Sequence, residues 1–186
     1  MALDSHLQNY NLKQIAVIVI GFGETAEFFK ESAKYDNLSI VQWIGTDSNA
    51  NEKKITADDI ALEFANSVGF VAVQFASESN PIRDELEQRL IEELGYAPSI
   101  YAYSTYDTVW IIGKSIIEAD SIKPHLVKLE IEQVASTHRG ALSSTELNHA
   151  GDLNSADYDL WGIVNDSWQV VGHLNDAHEK EKIILD

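Results

Sequence analysis

The sequence contains no cysteine among its 186 residues, which excludes disulfide bonds, thiol catalysis and cysteine metal sites. Basic residues are few: 13 lysines and arginines against 30 aspartates and glutamates give a net charge of −17. Nucleic acids and anionic membrane surfaces bind basic patches, so we predict no nucleic-acid partner. The charge instead favours a soluble protein whose ligand is neutral, zwitterionic or cationic.

Long apolar runs are also lacking, and none reaches the length of a membrane span. Residues 1–14 are polar and contain no secretory h-region, so any export signal would lie outside this sequence. Hydrophobic residues make up 45% and charged residues 23%, which is typical of a globular chain. The length fits one ordinary domain or two small lobes.

Signatures of metal sites and nucleophiles are lacking too. No two of the six histidines share a helix at metal-ligand spacing, and no HExxH pattern occurs. The Ser-Ser-Thr segment 143–145 lies near His138, but no nucleophile elbow surrounds it. We therefore predict no metal, no cofactor and no enzyme activity, with His138 and His149 at the surface. Asp107 is predicted to bond to neighbouring backbone rather than to a ligand.

The chain is organised around a predicted βαβ unit over residues 15–47. The segment 15–20 is an unbroken apolar run, as expected of a strand that is buried on both faces of a parallel sheet. A glycine turn follows, then a helix over 24–34, and the second strand covers 39–44. The spacing of four apolar residues predicts the buried face of this helix: Phe22, Ala26, Phe29 and Ala33.

The two strands of such a unit are parallel, so the loops that follow them open at the same edge of the sheet. Phe22 and Glu24 in the first loop are therefore predicted to lie near Gly45, Thr46 and Asp47 in the second. Open α/β sheets bind ligands at this edge, and we seek the functional site there first.

Three interpretations of this edge stay open. Gly21-x-Gly23-x-x-Ala26, with Asp47 after the next strand, matches the loose dinucleotide fingerprint of a nucleotide-dependent α/β enzyme. Glu24 argues against it, because a carboxylate at the start of the helix repels a pyrophosphate. The second interpretation is a pocket for a sugar-like or amino-acid solute anchored by Asp47. In the third, the glycines only make the turn and Asp47 only caps the loop.

Helices dominate the middle of the sequence. A helix that begins at Thr56 as N-cap precedes a strand over 70–75. Three helices are then predicted over 81–94, 99–119 and 121–135. The second of these has little purely polar face, so we expect it to be central. The third is expected to turn Leu126, Leu129 and Val134 inward.

The pattern changes after residue 140. Strands over 157–164 and 168–174, separated by a tight Asn165-Asp166-Ser167 turn, predict an antiparallel β ribbon. The charged tail from residue 175 is expected to fray.

The order and spacing of these motifs resemble the second half of the type I periplasmic binding proteins, the branched-chain amino acid receptor family of ABC transporters. The resemblance covers roughly residues 15–174. The matching pieces are VIVIGFGETAEFFKESA, VQWIGTDS, YAYSTYDTVWIIGKSI and GALSSTELNHAGDLNSADYDLWGIVNDSWQVVG.

The resemblance implies an α/β fold of the periplasmic-binding-protein type, with two lobes joined by crossovers and present only in part. The opening lobe is missing, since a full receptor is about twice as long. The implied organisation is an overhang or short helix over 1–14, second-lobe α/β structure over 15–68, a hinge strand and first-lobe helices over 69–139, a returning β ribbon over 140–174, and a charged tail over 175–186.

The resemblance also implies a function: an extracytoplasmic solute-binding module for a small amino-acid-like or amide ligand in ABC-type uptake, which closes its lobes on the ligand. Phe22 matches an aromatic position that lines the cleft, and Asp47 matches the acidic position that pairs with the ligand's ammonium group. Gly45 and Thr46 would offer backbone groups, and Glu24 a contact at the rim. The implied partners are the solute, a membrane permease or a sensor, and either the missing first lobe or further copies of this chain in a homo-oligomer.

Overall fold

The computed structural model describes residues 2–174, which divide into two compact units. Unit 1 contains residues 2–75 and 158–174, and unit 2 contains residues 76–157. Each unit has its own cluster of buried apolar side chains, so the two are described separately.

Unit 1 is built on one mixed sheet. Its strands, in their order across the sheet, are β1 Ala16–Val19, β2 Gln42–Gly45, β3 Val71–Ala76, β4 Asp157–Val164 and β5 Ser167–Leu174. The first three pair in parallel, and β4 and β5 pair antiparallel. The helices of this unit are α1 Ala2–Asn9, α2 Thr25–Ser32, α3 Lys53–Thr56 and α4 Asp59–Ser67, with short 3-10 turns at Leu12–Gln14 and Asp36–Leu38. The predicted βαβ unit is thus confirmed, with shorter strands than expected.

An aromatic cluster forms the core of unit 1. Phe29 of α2 is fully buried, and its ring centroid lies 4.8 Å from that of Phe70, 5.4 Å from Phe64 and 5.7 Å from Trp43. Most of these rings meet edge to face, the arrangement that the aromatic quadrupole favours. This cluster packs α2 and α4 against the sheet through Phe29 and Phe64.

The expectation that the first strand is buried on both faces is wrong. Val17 and Val19 pack against the aromatic core, but Ile18 is 68% and Ile20 84% exposed. The physical reason is that β1 lies at the edge of the sheet, and the described residues leave its second face uncovered. The apolar run at 15–20 thus predicted the strand correctly but predicted its burial wrongly.

The predicted apolar face of α2 is correct only in its middle. Ala26 and Phe29 are buried, whereas Phe22 is 70% exposed and Ala33 is exposed as well. Phe22 precedes the helix and Ala33 follows its last residue, so neither continues the helical stripe.

The predicted N-cap at Thr56 is also wrong, because two short helices occupy this stretch. Glu52 caps α3 by accepting a hydrogen bond from the backbone N–H of Lys54. Asp58 caps α4 and accepts hydrogen bonds from the N–H groups of Ile60 and Ala61, both at 3.1 Å. Asp58 also forms an ion pair with Lys30 of α2, with 3.1 Å between Nζ and Oδ2.

Asp58 gives a prediction for pH dependence. The Ala61 N–H, the Lys30 ammonium and the Ile60 N–H all hold the pKa of the Asp58 carboxyl below its usual value. A group whose pKa is lower in the folded state adds stability above its unfolded pKa, and that stability is lost as the pH falls through the folded pKa. We therefore expect Asp58→Asn to lower the urea midpoint at pH 7 and to lose this difference in acid.

Urea titrations of both proteins at several pH values would measure this. Asp59→Asn is the matched control, because the exposed Asp59 shares the first turn of α4 and its midpoint difference should be small. A difference for Asp58→Asn that does not shrink towards pH 3 would contradict the assignment.

Unit 2 consists of α5 Pro81–Leu94, α6 Ile100–Glu118, α7 Pro124–Thr137 and the segment that follows them. Between residues 77 and 156 the structure has no strand beyond an isolated bridge between Leu147 and Leu153. α5 has the predicted bounds: it begins at Pro81, and Gly95 ends it at φ +78°. Asn80 caps it, which the sequence analysis did not predict.

The inward residues predicted for α7 are only partly correct. Val134 is 8% exposed and packs with Ile111 and Ala135, but Leu126 is 36% and Leu129 72% exposed. The centrality predicted for α6 is likewise only half realised, since one side of that helix is open to solvent.

Asp107 bonds to backbone, as predicted, and organises the start of the segment after α7. Its side chain is 1% exposed and accepts hydrogen bonds from the N–H groups of Ala141 and Leu142, each at 2.8 Å. A Cβ on Gly140 would lie 1.8 Å from Asp107 Oδ1, so only glycine fits between them.

The surface location predicted for His138 is wrong, and its side chain is only 2% exposed. Its Nδ1 lies 3.0 Å from Lys114 Nζ and its Nε2 lies 3.3 Å from Asp107 Oδ1. Because an ammonium can only donate, Nδ1 accepts and Nε2–H donates to the carboxylate. Polar partners on both sides thus permit burial. His149 is exposed, as predicted.

The β ribbon is confirmed. β4 and β5 are joined at Asn165 and Asp166, which have φ values of 51° and 61°, as a type I′ hairpin turn requires. Trp168 packs against the aromatic core and donates from Nε1 to the carbonyl of Glu52 at 3.0 Å. The predicted charged tail lies outside the described residues. No helix within residues 2–174 is both long and apolar enough to cross a membrane.

Candidate functional site

The loops after β1 and β2 meet at one edge of the sheet through two polar side chains of the second loop. Ser48 Oγ donates to the carbonyl of Gly21 at 2.6 Å, and Asn49 Nδ2 donates to the same oxygen at 2.9 Å. Asn49 Nδ2 also bonds to Thr25 Oγ1 at 2.8 Å. The two loops therefore lie side by side, as predicted for parallel strands, and these hydrogen bonds join them.

Asn49 is the residue that the sequence reasoning missed. It is 0% exposed, and its Oδ1 accepts a hydrogen bond from the Thr46 N–H at 3.0 Å while its amide nitrogen bonds to the first loop. An asparagine in a polar loop belongs to no periodic pattern of apolar residues. Its burial therefore cannot be predicted from the sequence alone. The amide uses both ends of its side chain and ties the two loops to each other.

Gly45 is confined by packing. A Cβ there would lie 2.6 Å from Phe70 Cζ and 2.9 Å from Asn49 Cβ. This close approach explains why the residue before Thr46 is a glycine, independently of any ligand.

Phe22 and Glu24 stand at the start of α2. Phe22 is 70% exposed, and Glu24 occupies the N-cap position without making a side-chain capping bond. Backbone N–H groups of Glu24 itself and of Phe22 lower the pKa of the Glu24 carboxyl, and Lys54 adds to this. The carboxylate is therefore charged at neutral pH and sits where a pyrophosphate would need to bind.

Asp47 directly follows Thr46 at the end of β2 and is exposed. Its Oδ1 accepts a hydrogen bond from the Ser48 N–H at 2.9 Å, and Gln74 Nε2 of β3 lies 3.5 Å from its backbone carbonyl. Thr46 is half-buried, with its Oγ1 3.0 Å from Ser48 Oγ. The five predicted residues thus lie on the two loops that the Ser48 and Asn49 bonds hold together.

Two carboxylates, one exposed phenyl ring and two hydroxyls lie at this edge of the sheet, on loops that the Ser48 and Asn49 bonds hold together. Within the described range 2–174, no group of three or more histidines and acidic residues is placed to hold a metal ion. The arrangement suits a ligand with a cationic or hydrogen-bond-donating group, since carboxylates bind such groups strongly.

Solved structures establish the class of fold. The chain has the fold of the type I periplasmic binding proteins, in part, as the resemblance implied. It superposes on the leucine-binding protein LivK of Thermotoga maritima with a TM-score of 0.67 and 17% identity, over 94% of this chain. It also superposes on an ABC transporter substrate-binding protein of Desulfitobacterium hafniense, in complex with Leu, with a TM-score of 0.57 and 16% identity, over 90% of this chain.

A sequence relative is an uncharacterized protein of Methanocaldococcus jannaschii, 29% identical over 173 residues and 84% of this chain. No protein-family model matches the chain. The chain spans 47% and 48% of the two solved structures and 40% of the M. jannaschii protein, so it corresponds to less than half the length of each.

Proposed function

We propose that this chain is a non-catalytic solute-binding module for a small amino-acid-like or amide ligand, corresponding to the second-lobe half of an extracytoplasmic receptor. The ligand binds at the loops after β1 and β2, and lobe closure over it stabilises the bound state. The partners are a membrane permease or a sensor, together with the polypeptide that supplies the other side of the cleft.

One observation carries this proposal: the bonds of Ser48 and the buried Asn49 to the Gly21 carbonyl hold the loop of the exposed Asp47 on the same edge as Phe22. A preorganised carboxylate binds an ammonium group without first losing loop entropy. Of the solved structures named above, one is a leucine-binding protein and the other is an ABC transporter substrate-binding protein in complex with Leu. Their low identity to this chain leaves the ligand class as part of the proposal.

The proposal gives each of the five residues the role that the family resemblance implies. Asp47 accepts hydrogen bonds from the ligand's ammonium or amide nitrogen, and Phe22 provides an apolar wall beside it. Gly45 and Thr46 offer backbone groups at the end of β2, and Glu24 contacts the ligand at the rim. The charged Glu24 disfavours the competing interpretation as a nucleotide-dependent enzyme, because it repels phosphate at the start of α2.

A thermal-shift screen against amino acids, amides, urea-like solutes and nucleotides tests the proposal. A solute at about a hundred times its dissociation constant adds about 2.7 kcal/mol of stability. In Asp47→Ala we expect affinity to fall about 10- to 100-fold, since a charge-assisted hydrogen bond contributes about 1.5–3 kcal/mol. Asp36→Ala, at an exposed position in the Asp36–Leu38 turn, is the matched control and should bind as the parent does.

Two results would overturn this function. One is a shift with NAD or ATP that is weakened by Gly21→Ala, which would favour the nucleotide enzyme. The other is a solute whose binding is unchanged in Asp47→Ala, which would place the ligand elsewhere.

A further inference from the structure

The side chain of Glu24 turns back from the start of α2 towards the contact between the two loops of the candidate site. A Cβ on Gly21 would lie 3.3 Å from Glu24 Oε1 and 3.1 Å from Thr25 Oγ1. Thr25 Oγ1 is bonded to Asn49 Nδ2. Asn49 and Ser48 of the second loop both donate to the Gly21 carbonyl. The Glu24 carboxylate therefore lies beside the glycine through which the two loops are joined.

Asp47 is tied to the same glycine from the second loop. Its Oδ1 accepts from the N–H of Ser48, and Ser48 Oγ donates to the Gly21 carbonyl. One carboxylate from each loop is thus anchored at Gly21. Residues 20–25 and 45–51 contain no lysine, arginine or histidine, so no basic residue of these two loops balances the pair.

Glu24 is charged at neutral pH and still has acceptor capacity for a ligand. Its own N–H and that of Phe22 lower the pKa of the carboxyl, and Lys54 contributes least to this lowering. A carboxylate accepts at about four lone-pair sites, so these two backbone donors leave room for a further donor. The side chain is exposed, so a solute can reach it.

The ring of Phe22 is a second feature of this loop that suits a cation. Phe22 is 70% exposed and lies two residues before Glu24. The face of an aromatic ring attracts an ammonium or guanidinium group through its quadrupole. A phenyl ring alone would serve a neutral side chain as well, and the charge of Glu24 decides between the two. The net charge of −17 also raises the local concentration of cations around the chain.

We propose that the solute is a small cation: an amino-acid-like molecule whose side chain ends in an ammonium or guanidinium group. Asp47 binds the α-ammonium group, as in the proposed function on which this inference rests. Glu24 and the face of the Phe22 ring bind the second positive group. A neutral amino acid is disfavoured, because it would displace water from the Glu24 carboxylate without replacing the lost hydrogen bonds.

Two pairs of amino acids of matched shape test the charge alone: arginine against citrulline, and lysine against norleucine. Citrulline has the shape of arginine without its charge, and norleucine is lysine without the terminal ammonium. Isothermal titration calorimetry measures all four on the intact chain and on the variants Glu24→Gln and Glu27→Gln. Glu27→Gln is the matched control, because it removes the same charge at an exposed position in the first turn of the same helix.

We expect arginine or lysine to bind at least about tenfold more tightly than its neutral counterpart, both in the parent and in Glu27→Gln. In Glu24→Gln this preference should fall to about twofold or less. A preference that survives Glu24→Gln, or no binding of any of the four, would overturn the inference. Norleucine or citrulline that binds as tightly as its cationic counterpart, and is lost in Asp47→Ala, would reject the inference and support the proposed function.

Discussion

Asp107→Ala is expected to destabilise unit 2 by about 3–5 kcal/mol, because it leaves two buried N–H groups and one imidazole without their acceptor. The carboxylate is 1% exposed and accepts from Ala141 and Leu142 at 2.8 Å each. The segment after α7 should then separate from α6, and the loss should appear mainly in unit 2.

Urea unfolding followed by far-UV circular dichroism, together with amide hydrogen exchange, would measure this loss. Asp107→Asn keeps the shape of the side chain but turns an amide donor towards one N–H, so its effect should be smaller than that of alanine and still clear. Thr108→Ala, at the exposed neighbouring position, is the control and should change stability little. A loss below about 1 kcal/mol in Asp107→Ala would show that these bonds do not hold the segment.

Local signals in the sequence were sufficient for most elements. The bounds predicted for α5, 81–94, are correct because Pro81 at its first position and Gly95 after its last residue act within one turn. Asn165 and Asp166 predicted the hairpin for the same reason, since both tolerate positive φ. Where the chemistry of one turn decides the structure, the sequence was a reliable guide.

Predictions of burial failed where burial depends on contacts with residues that are distant in the sequence. The run at 15–20 has the composition of a strand covered on both faces, yet Ile18 and Ile20 are exposed, because within residues 2–174 no layer covers the face that they share. Leu129 follows the helical period of α7 and still faces solvent. His138 failed in the opposite direction, since its burial depends on Asp107 and Lys114, which lie 31 and 24 residues away. Periodicity reports the apolar side of an element and cannot report whether another layer covers it.

In the candidate site, too, the topology was predictable from the sequence and the contacts between distant residues were not. Parallel strands were enough to predict that Phe22 and Asp47 lie on loops at one edge, because that follows from topology. The bonds that fix the loops could not be predicted, since Asn49 reaches residues 24 and 28 positions away. The binding roles of the five residues stay predictions until a ligand is found.

Asn49→Ala is expected to destabilise unit 1 by about 2–4 kcal/mol and to loosen the candidate site at the same time. The substitution removes the bonds to Gly21 and Thr25 and leaves the half-buried Thr46 N–H without its acceptor. Ser48 still donates to Gly21, so the loops should stay close but become mobile. Solute affinity should therefore fall even though the substituted side chain is buried.

Hydrogen exchange separates this effect from global unfolding. We expect faster exchange over residues 20–25 and 46–52 in Asn49→Ala than in the parent, at urea concentrations far below the midpoint. Ser48→Ala should show a smaller effect, because Asn49 continues to bond to Gly21, and Asn66→Ala on the exposed side of α4 should show none. If Asn49→Ala lowered stability while leaving exchange in both loops and solute affinity unchanged, Asn49 would be a core residue only. The preorganisation of Asp47 beside Phe22 would then need another cause.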